Sequence, residues 1–209
     1  MSRAGQRFTL YGDARSGNCF KAALILRLNG MDFDWVETDV VARETRTEAF
    51  LAINPNGRVP VLILPDGRIL SESNAILVYL AEDTPWLPSD AFERAQVLQW
   101  LFFEQYSHEP YIAVARFVVC FSGKAEEQQE RLEYLRQQGN AALGVMEKRL
   151  EEAPFLVADR FTIADIALYA YTHTAEDGGF KLDSYPAVQA WLERVERQPG
   201  FIPMAEACR

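Results

Sequence analysis

Histidine and cysteine are scarce in this chain, and most metal and disulfide chemistry is excluded with them. Among 209 residues there are two histidines, His108 and His173, and three cysteines, Cys19, Cys120 and Cys208. The cysteines are widely spaced, odd in number and without a CxxC. That pattern suits neither a disulfide framework nor a zinc site, and it fits a reducing cytoplasm. Positive charge is also in deficit, with 21 Lys and Arg against 30 Asp and Glu and a formal net charge of -9. A chain this acidic is repelled by polyphosphate backbones and anionic bilayers, which argues against nucleic acid and membrane as partners. No apolar run is long enough to span a bilayer. The first residues lack the basic stretch and apolar core of a secretory signal. Internal repeats and low-complexity tracts are missing too.

What is present is ample apolar material, 49% of residues, enough for packed cores in one large or two small domains. The acid excess is uneven. Residues 1–82 hold 9 Lys or Arg and 10 Asp or Glu, net -1, which leaves -8 for residues 83–209. The first part therefore keeps local cations, among them Arg15, Lys21 and Arg58, that could serve an anionic ligand or stand as solvated surface charge. Element signals follow in order. Phe8–Gly12 reads as a strand, Phe20–Leu28 as a buried helix stopped by Asn29-Gly30, and Phe33–Val40 as a second strand. Glu44–Ile53 reads as a short helix closed by Asn54-Pro55. A hairpin of Val61–Leu64 and Arg68–Leu70 turns at Pro65-Asp66-Gly67, and Ala75–Ala81 is a third helix. This β-α-β-α-β-β-α order is thioredoxin-like. Residues 83–89, with Pro85 and Pro88, read as a linker.

Beyond the linker the strand signals stop. Residues 90 to about 121 form one long helical pattern, and 125–150 a second with an apolar stripe through Leu132, Leu135, Leu143 and Met146. Thr162-Ile163-Ala164-Asp165 has the form of a helix capping box, with Phe161 placed to staple onto Ile166. Tyr185-Pro186 opens a last amphipathic helix ended by Pro199-Gly200. The expected fold class is a two-domain α+β protein. It comprises a thioredoxin-like domain over residues 1–82, the linker 83–89 and an all-helical domain over 90–209.

The stretch Asn54 to Ser73 carries the most chemistry. Proline donates no backbone hydrogen bond, so Pro60 belongs at the start of a strand. A cis Val59–Pro60 bond is expected there, leaving the Val59 amide and carbonyl to pair with an extended ligand as an added strand would. Glu72 and Ser73 fall at a helix N-terminus, where free amides and the helix dipole favour a carboxylate. One end of the segment suits a peptide backbone and the other an amino-acid head group.

Val-Pro followed at this spacing by Glu-Ser resembles the glutathione site of the cytosolic glutathione S-transferases, with a bacterial, serine-type pattern, and the resemblance extends over nearly the whole chain. It implies that glutathione is the co-substrate, bound by Arg58, Val59, Pro60, Glu72 and Ser73, without a metal. It also implies thiolate activation by a donor between the first strand and first helix. Four residues there remain open: Tyr11, Ser16, Asn18 and Cys19. Ser16 and Asn18 match the serine-type register and are the catalytic candidates. Ser16 serves equally well as a helix N-cap. Tyr11 belongs to the strand, and Cys19 falls one step into the helix, where it can point inward.

The resemblance further implies that a small electrophile binds against the first long helix of the second domain, at Tyr106, His108, Ile112 and Arg116, and that the protein is a cytoplasmic homodimer. The expected activity is glutathione transfer to an electrophile. Glutathione-dependent disulfide reduction, peroxide reduction or isomerisation is the second reading. A non-catalytic glutathione-binding or ligand-carrier protein is the third, because fold alone does not choose among them.

Overall fold

The computed structural model describes residues 7–207. Cys208 lies outside the described residues. Two compact units are formed, residues 7–84 together with 199–207, and Pro85–Gln198.

The first unit is built on a four-stranded mixed sheet of order β2-β1-β3-β4. Its strands are β1 Phe8–Gly12, β2 Phe33–Glu37, β3 Val61–Ile63 and β4 Ile69–Ser71. β1 runs parallel to β2 and antiparallel to β3, and β3 and β4 form the hairpin. The hairpin turn is closed by Gly67 N–H donating to the Leu64 carbonyl at 2.9 Å. Gly67 sits at φ 84°, where only glycine is unstrained. Along β1, Phe8, Leu10 and Gly12 are buried while Thr9 and Tyr11 are half-buried, the period of a strand with one face in a core. Helix α1, Gly17–Leu28, is buried at nine of its first ten positions, all but Asn18, and this explains its lack of a polar face. It packs on α3, Ser73–Ala81, and Asn29 donates from its side chain to the Leu80 carbonyl at 2.9 Å. The connection after β2 is a short 3-10 turn and then α2, Glu48–Ile53, capped by Thr47, where the sequence suggested one continuous helix.

The segment after residue 198 was expected to belong to the helical domain, and the structure corrects this. It turns at Gly200, φ 83°, and joins the first unit, where Phe201 meets Phe20 edge-on at 6.5 Å and the short α9, Met204–Ala207, lies beside α1. Four residues are too few to show a helical period, so only the packing reveals them.

The second unit is helical: α4 Ala91–Phe103, α5 Glu109–Cys120, α6 Gln129–Glu152, α7 Ile163–Thr172 and α8 Pro186–Glu196. The single long helix expected over 90–121 is interrupted by a π-helical turn, Glu104–His108. Pro110 has no N–H to offer the Tyr106 carbonyl, and Glu109 N–H reaches back five residues to Glu104 instead. Every residue of α7 is buried. Its capping box forms as expected: Ala164 N–H donates to Thr162 Oγ1 at 3.2 Å and Thr162 N–H to Asp165 Oδ2 at 2.9 Å. Asp165 also accepts from Leu156 N–H and Trp191 Nε1, tying α7 to the preceding loop and to α8. Buried Glu147 on α6 accepts from the first amides of α8, Ala187 and Val188, at 2.9 Å each.

Candidate functional site

The turn that leads into β3 is set by Asn54. Its buried side chain donates to the Arg58 carbonyl at 2.8 Å and accepts from Asn56 N–H at 3.1 Å. Gly57 at φ 61° closes the bend, donating to the Asn54 carbonyl at 2.8 Å. The Val59–Pro60 bond is cis. The paired ladder of β3 begins at Val61, so Val59 precedes the part of the strand engaged by β1 and β4. Arg58 is exposed.

Glu72 and Ser73 sit at the N-terminus of α3, as their sequence position suggested. Glu72 is the cap residue, exposed, with its backbone at φ 67° and ψ 112°. Its carboxylate accepts a long contact from Asn56 Nδ2 at 3.5 Å, which links it to the turn before Pro60. Ser73 is buried and donates from Oγ to Asn18 Oδ1 at 3.1 Å. Asn18 and Ser73 are 55 residues apart in sequence, and this bond brings the starts of α1 and α3 together. Two helix N-termini, each with the partial positive charge of its helix dipole, meet at one place on the unit.

The loop between β1 and α1 is held by a charged network. Asp13, 3% exposed, accepts from Arg15 N–H at 2.9 Å, from its guanidinium at 2.8 and 2.6 Å, and from Val40 N–H at 3.1 Å. Arg15 bridges on to Asp39 at 2.7 Å. Burial works to raise the Asp13 carboxyl pKa, but the bonds from Arg15 and Val40 outweigh it and hold the group below its ordinary value. Arg15 is correspondingly raised, first by its bond to Asp13. Arg15 was one of the cations available to a ligand on sequence grounds, and the structure engages it with Asp13 and Asp39. Lys21, another, is fully buried. Its ammonium donates to Ser73 Oγ at 3.4 Å and to Asn74 Oδ1 at 3.3 Å. Its place inside the apolar run Phe20–Leu28 was the one sequence signal of that burial.

Of the four residues considered for the sulfur, Ser16 caps α1, accepting from Cys19 N–H at 3.4 Å. A serine oxygen has two lone pairs and one proton, so capping leaves its O–H able to donate. Asn18 is half-buried beside Ser73. Cys19 points inward, with no exposed surface, and its Sγ accepts from Asp13 N–H at 3.4 Å. The Tyr11 ring packs edge-on to Phe50 at 6.3 Å.

The four residues expected to face an electrophile are not alike. His108 is buried, with Nε2 2.9 Å from Thr172 Oγ1; that hydroxyl donates to the Leu168 carbonyl at 2.7 Å, so the imidazole is the donor. Ile112 is buried as well. Neither offers surface to a ligand, which corrects that part of the expectation. Tyr106 is 82% exposed, and Arg116 pairs with Asp177 at 3.0 Å.

Residues 15–83 match the family of glutathione S-transferase N-terminal domains, and residues 111–199 that of glutathione S-transferase C-terminal domains. The chain is 54% identical to a glutathione S-transferase of Pseudomonas fluorescens of known structure, covering 95% of this chain and 99% of that one with a TM-score of 0.93. It is 27% identical, with a TM-score of 0.83, to a glutathione transferase of Burkholderia graminis solved with two glutathione molecules per subunit, over 97% of this chain and 87% of that one. It is 31% identical to the disulfide-bond oxidoreductase YfcG of Escherichia coli, over 90% of this chain and 89% of that protein. It spans 66% of the length of another curated relative. With both domains matched and the architecture shared throughout, the chain belongs to the glutathione S-transferase family.

Proposed function

We propose that this protein binds glutathione at the meeting point of α1, α3 and the Val59–Pro60 turn and holds it as a thiolate for attack on a small electrophile. The observation that carries the reading is the Ser73–Asn18 hydrogen bond, which joins the head-group end of such a site to its sulfur end. The γ-glutamyl carboxylate would meet Ser73 and the α3 amides, and Glu72 would take the ammonium. The cysteinyl backbone would pair with Val59, beside Arg58 and Pro60. Glutathione-bound relatives support the ligand, and the two matched domains support the class of chemistry.

A free thiol ionises near pH 8.5, so few per cent of it is thiolate at neutral pH. The Ser16 hydroxyl, with Asn18 in support and the α1 N-terminus behind both, would stabilise the charged form. Ser16→Ala should move ionisation of the bound thiol back toward about 8.5 and lower turnover more than affinity. A panel of aryl halides, hydroperoxides, disulfides and maleyl acids, each with glutathione, then identifies the electrophile. Tyr106 and Arg116 are the residues proposed to meet it. Absence of glutathione binding in calorimetry would end this reading.

Disulfide reduction is the second reading, favoured by the likeness to YfcG. Here the glutathione thiolate would attack a disulfide sulfur instead of carbon, breaking the S–S bond to form a mixed disulfide and expel the other sulfur as a thiolate. A second glutathione would then release the remaining thiol and leave as glutathione disulfide. Cys19 faces away from solvent, so Cys19→Ala should leave either activity nearly unchanged. Loss of activity in that variant alone would transfer the chemistry to Cys19. Among the described residues no helix is long and apolar enough to cross a membrane. A reducing, cytoplasmic setting is the one we propose.

A further inference from the structure

Lysine is a donor only, and serine carries a single donor proton. Those two facts give direction to the chain Lys21–Ser73–Asn18. Lys21 Nζ donates to Ser73 Oγ at 3.4 Å, and Ser73 Oγ donates to Asn18 Oδ1 at 3.1 Å. With its oxygen turned to Ser73, the Asn18 amide has its N–H groups on the opposite side of the group, and an N–H is what a sulfur anion would accept from. Lys21 is also fully buried, and it reaches the first turn of α3 twice, through Ser73 and Asn74. Its positive charge therefore adds to that of the α3 N-terminus inside a region of low dielectric, where it acts on an anion more strongly than a solvated lysine would.

We propose that Lys21 is a positioning residue of the glutathione site: its buried ammonium sets the proton order through Ser73 to Asn18 and supplies fixed positive charge for the ligand's head-group carboxylate. This rests on the reading that Ser73 meets that carboxylate. Lys21 itself touches neither the carboxylate nor the sulfur. It acts through Ser73 and Asn18.

The test uses Lys21→Met, which removes donor and charge, and Lys21→Gln, which keeps an N–H donor without the charge. Circular dichroism establishes folding. Calorimetry then measures glutathione and a glutathione whose γ-glutamyl α-carboxylate is amidated, and the ultraviolet absorbance of the thiolate follows ionisation of the bound thiol. Glutathione should bind Lys21→Met about tenfold or more weakly, as expected for a charge-assisted contact. The amidated analogue should bind that variant and the wild type within about twofold to threefold, once the charged group that Lys21 serves is gone. Thiol ionisation should move to higher pH in Lys21→Met and less in Lys21→Gln, because the second preserves the proton order. Equal weakening toward both ligands, or unchanged glutathione affinity and ionisation in a folded variant, would overturn the proposal. So would failure of both variants to fold, which assigns Lys21 to the core alone. If the wild type does not bind glutathione, the functional reading falls and this inference with it. If the wild type binds and the variants match it, only Lys21's role is lost.

Discussion

Glu72 occupies backbone space that side-chain-bearing residues avoid, at φ 67° and ψ 112°. Such a conformation costs of order 1–3 kcal/mol and survives only where the surroundings hold it. The ligand reading supplies a reason for tolerating it, since this backbone places an exposed carboxylate at the start of α3. Two substitutions separate strain from function. Glu72→Gly should raise stability by about 1 kcal/mol, the relief of strain being partly offset by the entropy glycine loses on folding. Glu72→Ala keeps the strain. Both should weaken glutathione by roughly tenfold or more, because a charged contact to a ligand is lost. Chemical denaturation and calorimetry measure the two effects separately, and undiminished affinity in either variant would remove Glu72 from the site. The position of Glu72 was legible in the sequence as a helix start after a hairpin. Its backbone conformation was not, since a glutamate there gives no sign of positive φ. Lys21 shows the same limit: one charge within an apolar run can turn outward or be enclosed, and the neighbours that decide it, Ser73 and Asn74, lie more than fifty residues on.

Among the helices, two glycines of α6 contrast local propensity with packing. A Cβ on Gly139 would stand 2.4 and 2.6 Å from the Phe180 ring, whereas one on Gly144 would meet nothing within 4 Å. Gly144→Ala should therefore stabilise by about 0.5–1 kcal/mol. Gly139→Ala should destabilise by about 1–3 kcal/mol despite the same gain in helix propensity, because the ring has to move. Equal shifts in the denaturation midpoints of the two variants would refute the distinction. Asp165 ties the same unit together at the start of α7. Burial pushes its carboxyl up to about 6, against the bonds it accepts from Thr162, Trp191 and Leu156. An acid raised in the folded state keeps its proton longer there than in the unfolded chain. Stability should accordingly fall as pH rises from 3.8 to about 6 and stay lower above. At about 1.4 kcal/mol per pH unit the contribution approaches 3 kcal/mol. Asp165→Asn should abolish this slope in urea denaturation across that range. It should also lower stability at neutral pH by about 1–3 kcal/mol, since an amide NH₂ would face the donors that the carboxylate accepts.

For the molecule as a whole, a homodimer is expected from the family resemblance, and closed twofold pairs are the commonest soluble assembly. Phe92 and Phe102 of α4 are 72% and 70% exposed in the single chain, apolar surface that a second copy would cover. Light scattering at micromolar concentration should give twice the 23.7 kDa chain mass. A monomer there would overturn the expectation. Replacing Phe102 with glutamate should shift the balance toward monomer if that surface is buried in the pair.

The division between sequence and tertiary structure follows the range of the forces involved. Strand and helix order, the hairpin turn at Asp66-Gly67, the α7 capping box and the placing of Glu72 and Ser73 at a helix start depend on residues within a few positions of one another. Alternation, periodicity and turn chemistry record such relations directly. So does the combination Val59, Pro60, Glu72 and Ser73 that pointed to glutathione. Other features depend on partners far away in the chain. They include the return of residues 199–207 to the first unit, the burial of His108 against Thr172, the enclosure of Cys19 in the core, the engagement of Arg15 by Asp39, and the Lys21–Ser73–Asn18 chain. Only folding brings those groups within hydrogen-bonding distance. A side chain's exposure and the direction of its protons are properties of that assembled environment, to which no local pattern of residues corresponds.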